Sequence, residues 1–111
     1  MRMLVKDILK PLGCQVLTCP EGLDRELRGA YCCDLLSWVI GRAEHGSAWL
    51  TVMTNLNIVA VAVMAEIACI VITEGSQPEE DVLAGATQNG VTLLGTKLST
   101  FEAAAALGKL L

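Results

Sequence analysis

Thiols are the first residues here that invite chemistry. The 111-residue chain holds five cysteines, Cys14, Cys19, Cys32, Cys33 and Cys69. Structural metal sites are usually built from close pairs such as Cys-x-x-Cys, which present two sulfurs to one ion, and no such pair occurs. Four residues separate Cys14 from Cys19, as in the first pair of some iron–sulfur proteins, but the doublet Cys32-Cys33 in "GAYCCDLLSW" is a poor second pair. On a strand, adjacent side chains point to opposite faces. Cys69 sits within an apolar run, as small hydrophobes do. The sulfurs read as packing, one of the doublet inward and the other towards a covering helix, and no metal ligand or cofactor is expected. A redox or iron–sulfur protein is the competing reading.

Other candidates fail on spacing. "GVTLLGTK" nearly spells a phosphate-binding loop with Gly90, Gly95 and Lys97, but Thr96 separates the second glycine from the lysine, and "VTLL" has the composition of a core strand. The single histidine, His45, falls in the turn "AEHGS" with no serine nucleophile nearby. Glu79, Glu80 and Asp81 read as first-turn helix acids. No catalytic residue is assigned.

The elements that must position any site follow from periodicity and stop signals. Residues 3–10 read as a helix halted by Pro11 and Gly13, "CQVLTC" as a strand, "PEGLDREL" as a turn and "ELRGAYC" as a second strand. Asp34 is expected to cap the helix "LLSWVIGRA", with Leu35, Trp38 and Val39 on one face and Trp38 entering the core. After the strand "AWLTV", the long apolar run divides at Glu66 into a buried helix, "LNIVAVAVMAE", and a buried strand, "ACIVIT". "SQPEED" reads as a helix start, with Ser76 as cap and Pro78 in the first turn, and Asn89-Gly90 as its stop. "VTLL" supplies another strand, and "STFE" is a capping box for the last helix. Alternating strands and helices imply βαβ units and a mostly parallel sheet covered on both faces.

That architecture assembles one constellation. Ligands of open parallel sheets bind outside the carboxyl ends of the strands. The loops there carry Thr51, Thr54 and Asn55, then Thr73, Glu74, Gly75 and Ser76, then Thr96, Lys97, Ser99 and Thr100. Hydroxyls, amides and one lysine form a candidate site for a small anion; ordinary caps and turns use the same residues.

Bulk composition removes other classes. A net charge of −4 with no basic run gives no footprint for nucleic acid. The most apolar run carries Glu66 near its middle, against a membrane span. Charges spread through "MRMLVKDILK" do not resemble a signal peptide, so a cytoplasmic address is expected. With 53% hydrophobic residues, a chain this short is expected to dimerise.

The succession "DLLSWV", "WLTVMTNLNIVAVAVMAEIACIVITEGSQPEE", a helix ending in "NGVTLLGT" and a final "STFEAAAAL" resembles the DRTGG-domain family, modules similar to the N-terminal domain of HPr kinase/phosphorylase. The resemblance covers roughly residues 4–111; the Asp-Arg-Thr-Gly-Gly string itself is absent, its nearest echo being "ITEG" from Ile72 to Gly75. It implies a single three-layer α/β/α domain over residues 1–111, similar to the N-domains of HPr kinase and the Mur ligases, without the P-loop kinase domain. It also implies a regulatory or oligomer-forming role, as in modules fused to CBS-domain pyrophosphatases and phosphotransacetylases or found in iron-hydrogenase gene neighbourhoods.

The combined expectation is a non-catalytic regulatory homodimer that senses a small anionic or nucleotide ligand at the threonine-bearing loops, with a kinase or a hydrogenase-associated protein as partner. The alternatives are a small phosphotransfer component using Lys97 or His45, and a redox or iron–sulfur accessory protein of an iron-hydrogenase system.

Overall fold

Runs of β-branched and aliphatic residues without polar alternation demand burial on both sides, and the strands meet that demand. The computed structural model describes residues 2–111. Strands β2 (Gly29–Cys32), β3 (Ser47–Thr51), β4 (Cys69–Ile72) and β5 (Leu93–Gly95) run parallel, and the short β1 (Gln15–Val16) pairs antiparallel with β5, in the order β1-β5-β4-β3-β2. Every residue of β3 and β4 is buried.

Successive side chains divide between two cores. Trp49, Ile70, Ile72 and Leu93 enter one, beneath α2 (Leu36–Arg42), α3 (Asn57–Met64) and α4 (Glu80–Gln88). Ala48, Leu50, Cys69, Val71 and Leu94 enter the other, beneath a 3₁₀ turn (Val5–Ile8), α1 (Leu9–Leu12) and α5 (Thr100–Leu110). The result is the expected three-layer α/β/α arrangement. The chain steps through the sheet in one direction from β2 to β5, so its three crossover helices share a face, as crossovers of one hand require.

The division at Glu66, the Asn89-Gly90 stop and the Ser99–Glu102 capping box all stand where expected, with Glu66 itself in the left-handed region at φ 51°. Four local expectations are corrected. Asp34 does not cap α2: Leu35 occupies the cap position, and the Asp34 carboxylate instead accepts from Thr51 Oγ1 at 2.7 Å and the Val52 amide at 3.1 Å. Those donors bind the end of β2 to the end of β3, a stronger claim on a carboxylate than a frayed helix end. Trp38 does not enter the core: α2 is seven residues long beside the edge strand and buries only Val39, while Trp38 stays 46% exposed with the Arg42 guanidinium 3.7 Å from its ring centroid. The core tryptophan is Trp49, whose indole N–H donates to Cys33 O at 2.9 Å.

Ser76 is not the cap of α4. Pro78 biases Gln77 towards extended backbone, so the helix begins only at Glu80, after Glu79. Pro11 does not end the first helix but lies inside it, where the amide it lacks has no intrahelical partner anyway; Gly13, at φ 60°, is the stop.

Candidate functional site

The connections after β4 and β5 diverge: the first leads to α4 on one face of the sheet, the second to α5 on the other. Such a switch in direction opens a crevice at the carboxyl ends of the strands, where ligands of open α/β sheets bind. A cleft of about 390 Å³ lies there, between the loop Gly75–Gln77, the segment Gly95–Leu98, and Leu12, Gly13, Gln15 and Leu17 beside β1. Its volume falls in the range of small-molecule sites. Gly75, at φ 68°, follows Glu74 at φ 63°, so the β4 loop turns through two left-handed residues, the second of which only glycine adopts without strain.

The threonines serve the scaffold. Thr51, Thr73 and Thr96 are buried, and each hydroxyl is bonded inside the protein. Thr51 Oγ1 donates to Asp34 and accepts the Met53 amide; Thr73 Oγ1 lies 2.6 Å from Thr100 Oγ1; Thr96 Oγ1 donates to Leu12 O at 2.6 Å. The two loops are laced together by Glu74 N–H to Leu98 O at 2.8 Å and Gly75 N–H to Thr96 O at 3.0 Å. Two amides at the amino end of α5 are already taken: Glu74 Oε2 accepts the Thr100 amide and Ser99 Oγ the Glu102 amide.

The residues named from sequence therefore separate into three groups. Gly75, Ser76, Thr96 and Lys97 line the cleft, and Thr51, Thr73, Glu74, Ser99 and Thr100 form the hydrogen-bonded frame behind it. Thr54 and Asn55 line a different depression with Leu56, Glu79, Asp81 and Val82, where the carboxylates oppose an anion. Asn55 Oδ1 there accepts the Asn57 amide. Gln15 and Leu17 were not legible from the sequence, because β1 joins the site only by antiparallel pairing with β5, Gln15 opposite Gly95; Gln77 adjoins Ser76 in the β4 loop, where Pro78 delays the helix.

Two features bear on what the cleft could hold. Lys97 is exposed and, among the described residues, joins no salt bridge. The backbone N–H groups of Gln77 and Lys97, one from each loop, have no acceptor among the described residues. An ammonium and two free amides suit an oxyanion.

The cysteines do not assemble. Cys32 is exposed at the end of β2, Cys33 packs half-buried against the core under α2, and Cys19 and Cys69 are buried. Among the described residues no three Cys, His, Asp or Glu side chains group to hold a metal ion. Burial pushes the Cys14 thiol up to about 11 and the Cys69 thiol up to about 12, so both stay protonated and poorly nucleophilic at neutral pH. No helix of the described residues is long and apolar enough to cross a membrane.

Comparisons with known proteins agree with this architecture. No curated protein matches the sequence. A crystal structure of the CBS and DRTGG domains of the regulatory region of Clostridium perfringens pyrophosphatase, complexed with the activator diadenosine tetraphosphate, is similar in fold, with a TM-score of 0.76 at 15% identity. The match covers 94% of this chain but 45% of that one, so this chain corresponds to less than half of that regulatory region. The model of the DRTGG domain matches residues 7–110. With nearly its whole length matched, and with the sheet order and two-sided core described above, the chain belongs to the DRTGG-domain family.

Proposed function

We propose that this chain is a non-catalytic regulatory module that binds a small anionic ligand in the cleft between the β4 and β5 loops and self-associates through α3. The observation that carries ligand binding is the coincidence of the cleft, the unpaired Lys97 and the free amides of Gln77 and Lys97 with the switch in chain direction. Kinship with a domain found in a nucleotide-activated regulatory region adds to this reading. Ser76 and Lys97 both line the cleft but, among the described residues, share no hydrogen bond, so no nucleophile is paired with a base there. A thermal-shift screen of nucleotides and phosphorylated metabolites tests it: a ligand that binds only the folded state raises the melting temperature, and a screen without any shift removes the ligand-sensing role.

Self-association rests on a separate observation. From Asn57 to Ala65 the chain has no charged residue, and besides the stripe that faces the core, α3 turns Leu56, Ala60, Val63 and Met64 outward at helical spacing. Leu56, Val63 and Met64 are 50%, 49% and 64% exposed and line an uncharged groove of about 480 Å³ with Val59, Gly85 and the amides of Gln88 and Asn89. A helix apolar on every side is normally covered. A second copy is the occupant that fits, since two chains of net charge −4 approach best through a surface without charge, and Ala60 allows close contact across a two-fold axis. Light scattering on the eluting protein reads the mass directly, and a monomer at micromolar concentration removes this part.

A further inference from the structure

The cleft restricts the ligand further. Resting on the ligand-sensing reading above, we infer that it takes a compact monophosphate ester of an uncharged, partly apolar body, such as a nucleoside monophosphate, and discriminates against polyphosphates.

Three observations carry this. The first is the charge count: Lys97 is the single cationic side chain lining the cleft, in a chain of net charge −4, so one phosphate is already only partly neutralised and each additional one adds charge that no cation in the cleft meets. Secondly, at the start of α5, where further phosphates would find amides, two of them are held by the chain's own groups, Glu74 Oε2 on the Thr100 amide at 2.9 Å and Ser99 Oγ on the Glu102 amide at 3.1 Å. A longer phosphate chain would have to displace the Glu74 carboxylate or lie against it. Thirdly, the remaining wall is not an anion site at all. Leu17, packed over Gly95, and Leu98 present aliphatic surface, Gly13 leaves open space beside them, and the Gln15 and Gln77 side chains offer both donors and acceptors. Phosphate alone leaves that surface unused, and an uncharged nucleoside leaves Lys97 unmatched.

Calorimetric titration of the full chain with adenosine 5′-monophosphate, adenosine, inorganic phosphate, ATP and diadenosine tetraphosphate separates the outcomes. The expected order places the monophosphate at least tenfold tighter than each of the other four. ATP or diadenosine tetraphosphate binding as tightly as the monophosphate, or tighter, overturns the inference while leaving ligand sensing intact. Inorganic phosphate matching the monophosphate likewise overturns it, because the leucine wall would then contribute nothing. Absence of binding by all five removes both this inference and the nucleotide form of the broader reading. Lys97→Gln is expected to weaken the monophosphate at least tenfold and bring it level with adenosine, whereas Lys109→Gln, which removes an exposed lysine from the last turn of α5, leaves it unchanged. Equal losses in the two variants would show that general surface charge, rather than the cleft, holds the phosphate.

Discussion

Two of the depressions on this molecule contrast in how they are built. The cleft beside β5, about 390 Å³, is made by loops, glycines, glutamines, leucines and one lysine; the groove between α3 and α4, about 480 Å³, is made mostly by aliphatic side chains and holds no charge. The first lies where the chain changes faces of the sheet, so its walls are loop backbone with hydrogen-bonding capacity left over. The second lies between two successive helices on one face, so its walls are side chains whose only return comes from leaving water. A small anion answers the first, and a second apolar surface answers the second.

The sharpest way to break the comparison is at α3. Met64→Glu places a carboxylate at the centre of the proposed contact and is expected to weaken self-association by about 3 kcal/mol or more, over a hundredfold, as read by sedimentation or light scattering. Because Met64 is 64% exposed, the melting temperature of the monomer should barely move. Unchanged mass in this variant would mean that α3 is bare in the working protein.

Behind the cleft, Thr73→Val removes the hydroxyl that lies 2.6 Å from Thr100 Oγ1 and 3.4 Å from Thr51 O. The expected loss in denaturant unfolding is about 1–3 kcal/mol, the cost of unpaired buried polar groups. That would mark the threonine cluster as frame. A variant of parental stability that nevertheless fails to bind would instead give Thr73 direct contact with the ligand.

Lys97→Ala tests the cleft itself. It should leave the ligand-free melting temperature within about a degree, since an exposed unpaired lysine contributes little to folding, and reduce ligand-induced stabilisation by about 1.4 kcal/mol or more, a tenfold loss.

The gentlest effect is expected from alkaline pH. A thiol whose pKa is raised in the folded state binds its proton more tightly there than in the unfolded chain, so its contribution is complete below the ordinary value near 9 and is lost as pH climbs through the folded value. For Cys14 and Cys69 that window runs from about 9 towards 11 and 12. Urea midpoints should fall across it in the parent and fall less in Cys69→Ala. A flat parent profile would deny that Cys69 is held protonated by burial.

Much of the scaffold was legible. Continuous aliphatic runs reveal strands buried on two faces, and Ser99 with Glu102 announces the last helix, because those signals are local and tied to one geometry. The errors at Asp34, Trp38 and Ser76 share one cause. Each residue has a plausible local role, and each was claimed by something distant in sequence or by a competing backbone restriction: the hydroxyl of Thr51, the edge position of α2, the extended bias imposed by Pro78.

The site divides in the same way. The sequence by itself determined that hydroxyls, glycines and Lys97 follow the strands, since strand ends and loop composition are neighbours in the chain. Only the tertiary structure decided which of them face a ligand. Sheet order brought β1 against β5 and added Gln15 and Leu17, while long-range hydrogen bonds withdrew Thr51, Thr73 and Thr96 into the frame. The physical reason is that a buried polar group must find a partner wherever the fold places one, and that partner's position is a property of packing, which no local pattern encodes.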